Sequence, residues 1–318
     1  EPEFYMGKES CKNFERVSGI PYLFRHLASL KTNSYKEVPI SNQEHKYPVI
    51  IFSHGYTGLI GQNTAQMEAL ASNGYVVFSI AHTYEAADSR FPDGVSIPFS
   101  EEQINKLDDD WDKYSYLEET SNYEYYKQIL DEKGTVFESL NVWRDDTIFV
   151  ANQIEKLNKG EILSQFKDKL DVNNMGIFGH SFGGATAGQV CAADKRFKAG
   201  INMDGSPFLI YNNLSQPFMV MTSSESKKSI IDGYHPKQKL LIVAVNNAEH
   251  NDFTDMTILL SGLKSIGSDF LGKIDGDKQE NIMNEYILSF FNKYLKGIKE
   301  PLIDNRIDRY PEVTTELR

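Results

Sequence analysis

The amino-acid sequence predicts an α/β fold, with a central, mostly parallel sheet, helices on both of its faces and a cap-like insertion above it. Three observations carry that expectation. Short apolar runs rich in β-branched residues recur at Tyr47–Phe52, Tyr75–Ala81, Phe197–Met203, Pro217–Thr222 and Lys239–Val245, the pattern of strands buried on both faces. Segments with helical apolar spacing fall between and after them, at Asn63–Ser72, Arg144–Leu157 and Gln279–Lys296. The stretch Met175–Gly184, MGIFGHSFGG, reads as a further strand turning sharply into a helix with a serine at the apex.

Length and composition bound the rest. A chain of 318 residues can bury a large core, as one α/β domain or two ordinary ones. A single domain over 1–318 is preferred, because the segment from His82 to Trp143 lacks the repeated apolar runs of a second core and reads as an inserted cap or lid. Lys and Arg number 33 against 45 Asp and Glu, a net charge of -12. Nucleic acid is therefore an unexpected partner. The longest apolar runs are strand-sized, far short of the roughly 20 residues of a membrane helix. Two cysteines, Cys11 and Cys191, make neither a disulfide framework nor a metal cluster, and no cofactor or metal is expected. The chain opens Glu-Pro-Glu-Phe without an initiator methionine. This fits a processed or trimmed N-terminus and favours a secreted or cell-envelope protein over a cytoplasmic one.

Taken in order, Tyr22–Leu30 has a short helical pattern and Glu37–Ile40 is expected to begin an extended segment. Tyr47–Phe52 is a buried strand closed by Ser53-His54-Gly55. The helix from about Asn63 to Ser72 presents Met67, Leu70 and Ala71 on one face and stops at Asn73-Gly74. After the next strand, Tyr75–Ala81, comes the acidic, aromatic insertion. Arg144–Leu157 is an amphipathic helix with Ile148, Val150, Ile154 and Leu157 near one face. Downstream of the serine turn, the strands end in Asp204-Gly205, in Ser223-Ser224-Glu225 and in Asn246 to His250. Open α/β sheets bind their ligands at those carboxyl ends.

The stretch Gly179-His180-Ser181-Phe182-Gly183 has the spelling of a nucleophile elbow. Ser181 stands in a strained backbone conformation, flanked by glycines because side chains there would collide. Serine is a weak nucleophile near neutrality and requires a base, which in turn requires an acid to hold its tautomer. Of seven histidines only His235 and His250 follow Ser181. His235 precedes a strand and belongs to the opposite edge of the sheet, so His250 is the better base. Asp204 and Glu225 compete as the acid. Asp204, between an apolar strand and a glycine, suits a carboxylate buried at a turn and is preferred, while Asp252 and Asp255 read as caps of the next helix. An oxyanion would accept from the N–H of Phe182, after the nucleophile, and from the N–H of Tyr56, just beyond His54-Gly55. His54 and His180 read as structural hydrogen-bonding residues.

With these residues assembled, the chain resembles the platelet-activating-factor acetylhydrolases, the lipoprotein-associated and type II enzymes of the α/β-hydrolase fold. Lys46-Tyr47-Pro48 followed by IIFSHG is similar to the family's opening segment, GHSFGGAT at Gly179–Thr186 to its elbow, and His250–Asp255 to its base segment. The similarity runs from about Gly19 to Gly297. It implies Asp204 as the acid and Tyr56 as the second oxyanion donor. It also implies a hydrolase of short or oxidised sn-2 acyl chains of phospholipids that works without calcium. Two departures stand out. Ala81-His82-Thr83-Tyr84 replaces the E-H-R-D-like sequence typical of the family, and Glu1–Lys46 leaves little room for the strands expected ahead of Lys46.

The substrate expected is thus a small-molecule or lipid ester. A general short-chain lipase, an esterase or a polyester hydrolase would use the same chemistry, and a catalytically silent binding module is the rival of another class. The segment carrying Met256, Ile258, Leu259, Leu260, Leu263, Ile266, Phe270 and Leu271 is expected to be a core-packing helix. Its other reading is an apolar surface at the site mouth that meets lipid aggregates. The insertion at 82–143 is expected to set acyl-chain and head-group preference.

Overall fold

A computed structural model describes the chain apart from residues 119–121, 236, 238, 265–269 and 306–308. In chain order its elements are β1 (Pro2–Phe4), α1 (Lys8–Ser18), β2 (Lys31–Tyr35), β3 (Tyr47–Ser53), α2 (Thr64–Ser72), β4 (Val76–Ile80), β5 (Asp88–Arg90) and β6 (Ser96–Pro98). Then come α3 (Glu101–Glu118), α4 (Asn122–Glu132), α5 (Thr135–Lys159), β7 (Leu170–His180), α6 (Phe182–Ala193), β8 (Phe197–Met203) and β9 (Phe218–Ser223). The chain closes with α7 (Lys227–Ile231), β10 (Leu240–Val245), α8 (Met256–Leu259), α9 (Ser261–Lys264), α10 (Gly276–Leu295), α11 (Pro301–Asp304) and β11 (Val313–Leu317).

Seven strands pair in the order β11-β10-β9-β8-β7-β3-β4. All neighbours are parallel except β10 and β11. The apolar runs lie in this sheet because both of its faces are covered, and the period-2 alternation of a strand sorts each run between them. Ile50, Phe52, Phe178, Ile201, Met203, Met219 and Met221 face Leu70 of α2 and the Ile282, Tyr286, Phe290 and Phe291 stripe of α10. Val49, Ile51, Met175, Ile177, Phe218 and Val220 face Ala151 and Ile154 of α5 and Ala187 and Val190 of α6. Phe52, Phe178 and Phe218 are each fully buried, a stabilisation of roughly 1.5–3 kcal/mol per side chain.

Chain direction across the sheet reverses at β3 and β7. From β3 the chain steps outward to β4, then returns to place β7 on the other side of β3 and continues through β8, β9 and β10. This is a topological switch point, and the crevice it opens lies at the carboxyl ends of β3 and β7. Ser53 ends one strand and His180 the other.

Several elements depart from expectation. Glu37–Ile40 is turn and coil, with Glu37 at φ 53; the extended segment is Lys31–Tyr35, which pairs with Pro2–Phe4 outside the main sheet. Tyr22–Leu30 contains only a 3-10 turn, Arg25–Ser29. The helix α5 begins at Thr135, with Gly134 as its N-cap, and not at Arg144. Its buried stripe is Val136, Leu140, Trp143, Thr147, Ala151 and Ile154, while Ile148, Val150 and Leu157 are half-buried. The stripe is shifted because the first turns of α5 pack against the insertion as well as the sheet. There Leu107, Tyr125, Tyr126, Ile129 and Trp143 close onto Phe182, Ala185 and Phe208 beside the elbow. The segment after His250 forms the short helices α8 and α9, with Met256, Leu260 and Leu271 buried. Ile266 and the side chain of Leu263 fall outside the described residues. Among the described residues no helix is long and apolar enough to cross a membrane.

Candidate active site

Ser181 joins β7 to α6 with φ 56 and ψ -123, a sparsely populated conformation that costs about 1–3 kcal/mol. The packing that over-determines it is visible at the flanking glycines. A Cβ on Gly183 would lie 2.1 Å from the Ser53 carbonyl oxygen, and one on Gly179 would lie 2.2 Å from the Gly183 carbonyl oxygen. Both obstacles are backbone, so β3, the elbow and α6 approach this closely only with glycine there. Ser181 N donates to the Met203 carbonyl at 2.9 Å, and its own carbonyl accepts from Gly184 N and Ala185 N. The first turn of α6 is thereby wound directly onto the serine, with its positive end beside the side chain.

Asp204 ends β8 at φ 50, a left-handed conformation that aspartate tolerates better than most residues. Its carboxylate is buried. Oδ1 accepts from Thr222 Oγ1 at 2.7 Å and from Ser223 N at 2.9 Å, and Oδ2 from His250 Nδ1 at 2.8 Å. Burial alone would raise the pKa of this carboxyl, but His250 and the donors from Thr222 and Ser223 outweigh it and hold Asp204 below the usual range. Among the described residues it is Asp204, and not Glu225, that bonds to the His250 ring. With Nδ1 donating to Asp204, His250 has Nε2 free to accept. The ring is 47% exposed, so solvent reaches it. His235 lies elsewhere, its N–H bonded to the Tyr211 carbonyl.

His250 opens a 3-10 turn, His250–Phe253, that is reciprocally capped by Glu249 and Asp252. The Asp252 carboxylate is fully buried and accepts from Glu249 N, Gly272 N, Thr257 Oγ1 and Lys264 Nζ. Asp255 does not cap the helix that follows it. Its carboxylate accepts instead from Thr64 N at 2.7 Å and Ala65 N at 3.3 Å, capping α2 across the site; burial raises its pKa to about 8.

Tyr56 occupies a tight turn in which Gly58 N bonds to the Gly55 carbonyl at 2.8 Å, with Thr57 at φ 57. Thr57 N is tied to the Glu85 carbonyl at 2.9 Å. Among the described residues neither the Tyr56 N–H nor the Phe182 N–H has a protein acceptor. The two side chains pack together, ring centroids 5.9 Å apart. Behind them, Ser53 Oγ bonds to His82 Nε2 at 3.0 Å and His82 Nδ1 to Asp146 at 2.9 Å, with His82 stacked on Trp143 at 3.8 Å. His54 is sealed beneath this layer, and burial together with the neighbouring His82 lowers its pKa to about 3.

Ser181, His250, Gly55, Tyr56 and Gln62 line one cavity of about 210 Å³. Its apolar walls are Phe14 and Val17 of α1, Phe24, Met256 and Phe270. Among the described residues, none of 82–143 lines it. The insertion packs instead behind the elbow, through Phe182 and Trp143. Sequence reasoning also missed Gln62, Asp146 and Glu85, none of which lies in a motif, and met His82 only within the Ala81–Tyr84 departure from the family's sequence. Among the described residues no group of three or more His, Cys, Asp or Glu side chains is arranged to hold a metal.

The family model for platelet-activating factor acetylhydrolase, isoform II, matches residues 1–307. The chain belongs to this family. It is 29% identical over 281 residues to platelet-activating factor acetylhydrolase of Cavia porcellus, a match covering 84% of this chain and 62% of the relative. The Canis lupus familiaris relative of the same name is 26% identical over 91% of this chain and 67% of its own length. A probable 1-alkyl-2-acetylglycerophosphocholine esterase of Arthroderma benhamiae is 23% identical, with coverage of 85% and 66%. The chain thus spans about 62% of the length of the guinea pig relative. Among solved structures, a ferulic acid esterase from Streptomyces cinnamoneus matches with a TM-score of 0.73 at 23% identity, covering 99% of this chain and 84% of that one. The family thus has here the α/β-hydrolase fold, a mostly parallel sheet between two layers of helices.

Proposed function

We propose that this protein is a serine carboxylester hydrolase that cleaves short or oxidised sn-2 acyl chains of phospholipids. The observation that carries the proposal is the Asp204–His250 pair, bonded at 2.8 Å beside a strained serine at the wall of the same cavity. Ser181 Oγ attacks the acyl carbonyl and passes its proton to His250 Nε2, while the Nδ1–H stays on Asp204 and stabilises the imidazolium. The tetrahedral oxyanion accepts from the Tyr56 and Phe182 N–H groups. Collapse expels the lyso-phospholipid oxygen, which takes the proton from His250. Water then attacks the acyl-enzyme with His250 as base, releasing the carboxylic acid and restoring Ser181. A cavity of about 210 Å³ with aromatic walls suits a short acyl chain. The same reading treats 1–318 as one domain with 82–143 as an inserted cap.

Ser181→Ala tests this. Turnover of acetyl-phospholipid and of short-chain p-nitrophenyl esters, and labelling by a fluorophosphonate, are expected in the unaltered protein and absent in the variant. Undiminished turnover in the variant would sink the assignment. Acetyl-phospholipid resisting while tributyrin or a polyester is cleaved would move the substrate class to a general esterase.

A further inference from the structure

A line of hydrogen bonds crosses the site beside Ser181. Gly55 N donates to Gln62 Oε1 at 3.0 Å, Gln62 Nε2 meets His180 Nδ1 at 2.6 Å, and His180 Nε2 meets the His250 carbonyl oxygen at 3.0 Å. Both ends are backbone groups with only one role available. The Gly55 N–H can only donate, so the Gln62 oxygen faces it and the Gln62 amide N–H₂ faces His180. His180 Nδ1 must then accept, which puts the ring proton on Nε2, where the His250 carbonyl can only accept. Every proton in the line is thus determined by its ends.

We infer that Gln62 and His180 are positioning residues that hold the oxyanion turn and the base at a fixed separation across Ser181. The inference rests on the esterase reading above. One end of the line fixes Gly55, the residue before the Tyr56 donor, and the other fixes the backbone of His250, whose ring stands 4.5 Å from that of His180. His180 precedes the nucleophile in the chain, so the line runs through the elbow itself. The fit is close: a Cβ on Gly55 would lie 3.0 Å from His180 Nδ1 and 3.3 Å from Ser181 Cβ. Gln62 is anchored in turn, its carbonyl accepting from Asp255 N at 3.0 Å. His180 stays neutral, because burial and the adjacent His250 lower its pKa to about 3, so the tautomer survives wherever the enzyme would work. A lost link lets two halves of the site drift, and displacements near 1 Å cost on the order of 100-fold in rate.

The test has two independent readouts. Nitrogen-15 NMR of the full chain is expected to find His180 protonated on Nε2 and bare on Nδ1, the signals assigned by their loss in His180→Gln. A proton on Nδ1 would overturn the inference whether or not the protein hydrolyses esters. Kinetics supply the second readout. Gln62→Met, which keeps the volume and removes both bonds, is expected to lower kcat about 10- to 100-fold with KM within about twofold. Gln62→Glu can still accept from Gly55 N and draw a proton onto His180 Nδ1, so its kcat should exceed that of Gln62→Met. Were Gln62 only a filler, the buried charge of the glutamate would make it the worse variant, and that order would overturn the inference, as would a change confined to KM. Absence of turnover and labelling in the unsubstituted protein would instead defeat the esterase reading, leaving the His180 tautomer to decide the line of bonds.

Discussion

Asp204→Asn would separate the proposed acid from its rival Glu225, and its effect can be worked out atom by atom. Asp204 Oδ1 accepts from Thr222 Oγ1 and Ser223 N, and the Ser223 N–H has no other role than donor. The asparagine must therefore turn its carbonyl oxygen to that side and its N–H₂ to the side of Oδ2, 2.8 Å from His250 Nδ1. Two donors cannot share a hydrogen bond, so His250 is driven to the tautomer with its proton on Nε2, where it can no longer accept from Ser181. The fold is left alone, because the two fixed bonds at Oδ1 persist. The imidazolium formed during acylation also loses its counter-charge. Loss of the correct tautomer in a triad of this kind costs about 10⁴ in kcat, or about 5.5 kcal/mol of barrier. The assay is steady-state hydrolysis of a short-chain p-nitrophenyl ester, with urea unfolding as the control for folding and Glu225→Gln as the control for position. A folded Asp204→Asn variant within tenfold of the unaltered kcat, or a Glu225→Gln variant that loses as much, would refute the assignment.

Two further outcomes follow from the buried polar groups. His180 carries a folded-state pKa of about 3 against an ordinary 6.5, so its stabilising contribution is complete above the unfolded pKa and is lost as pH falls from about 6.5 toward 3. Between pH 8 and pH 5 this amounts to roughly 2 kcal/mol. Comparing the unaltered protein with His180→Gln cancels the other titrating groups, including Asp255, whose raised pKa acts in the opposite sense. Urea unfolding at the two pH values should show the unaltered protein losing about that much more stability than the variant, and parallel losses would refute the attribution. Trp143→Phe removes the Nε1 donor that holds Glu85 Oε2 at 2.6 Å and leaves Ser139 and Gln103 on Oε1 alone. The unpaired buried carboxylate oxygen is expected to lower unfolding stability by about 1.5–3 kcal/mol, read as a shift in urea midpoint; an unchanged midpoint would count against it.

How much of this was legible in the sequence depended on whether physics left a local pattern. The parallel strands were readable because burial on both faces demands unbroken apolar runs, as at Val49–Phe52 and Leu240–Val245. Ser181 was readable because a β7-to-α6 reversal this tight admits only glycine at 179 and 183, and Asp204 because it stands between a buried strand and Gly205. The strand β11, VTTEL, escaped because it sits at the sheet edge with one neighbour and only Val313 buried. The helices α3 and α4 escaped because Leu107, Tyr125, Tyr126 and Ile129, which pack toward Phe182 and Ala185, are scattered among charged residues and form no continuous run. Gln62 and His180 lie 118 positions apart, and an amide in a turn leaves no periodic signal. Only the three-dimensional crossing at the switch point brings them together.

Under the proposed esterase reading, the placement of the cavity walls changes which part of the chain bears on substrate choice. The apolar residues that line the cavity beside Ser181 are Phe14, Val17 and Phe24 from the N-terminal segment and Met256 and Phe270 from the segment after His250. These two segments form one apolar cluster, in which Phe24 and Leu27 pack with Met256, Leu260 and Leu271. The second of them also carries His250, and its Asp252 carboxylate is clamped by Lys264 and Gly272 N. The wall of this cavity and the position of His250 are therefore set by the same buried bonds. The insertion packs from behind: the Glu85 carbonyl accepts from Thr57 N next to Tyr56, and Trp143 donates to the Glu85 carboxylate while stacking on His82. It packs behind the side of the cavity formed by Tyr56 and Phe182, while the N-terminal segment and the loop after His250 form the apolar walls.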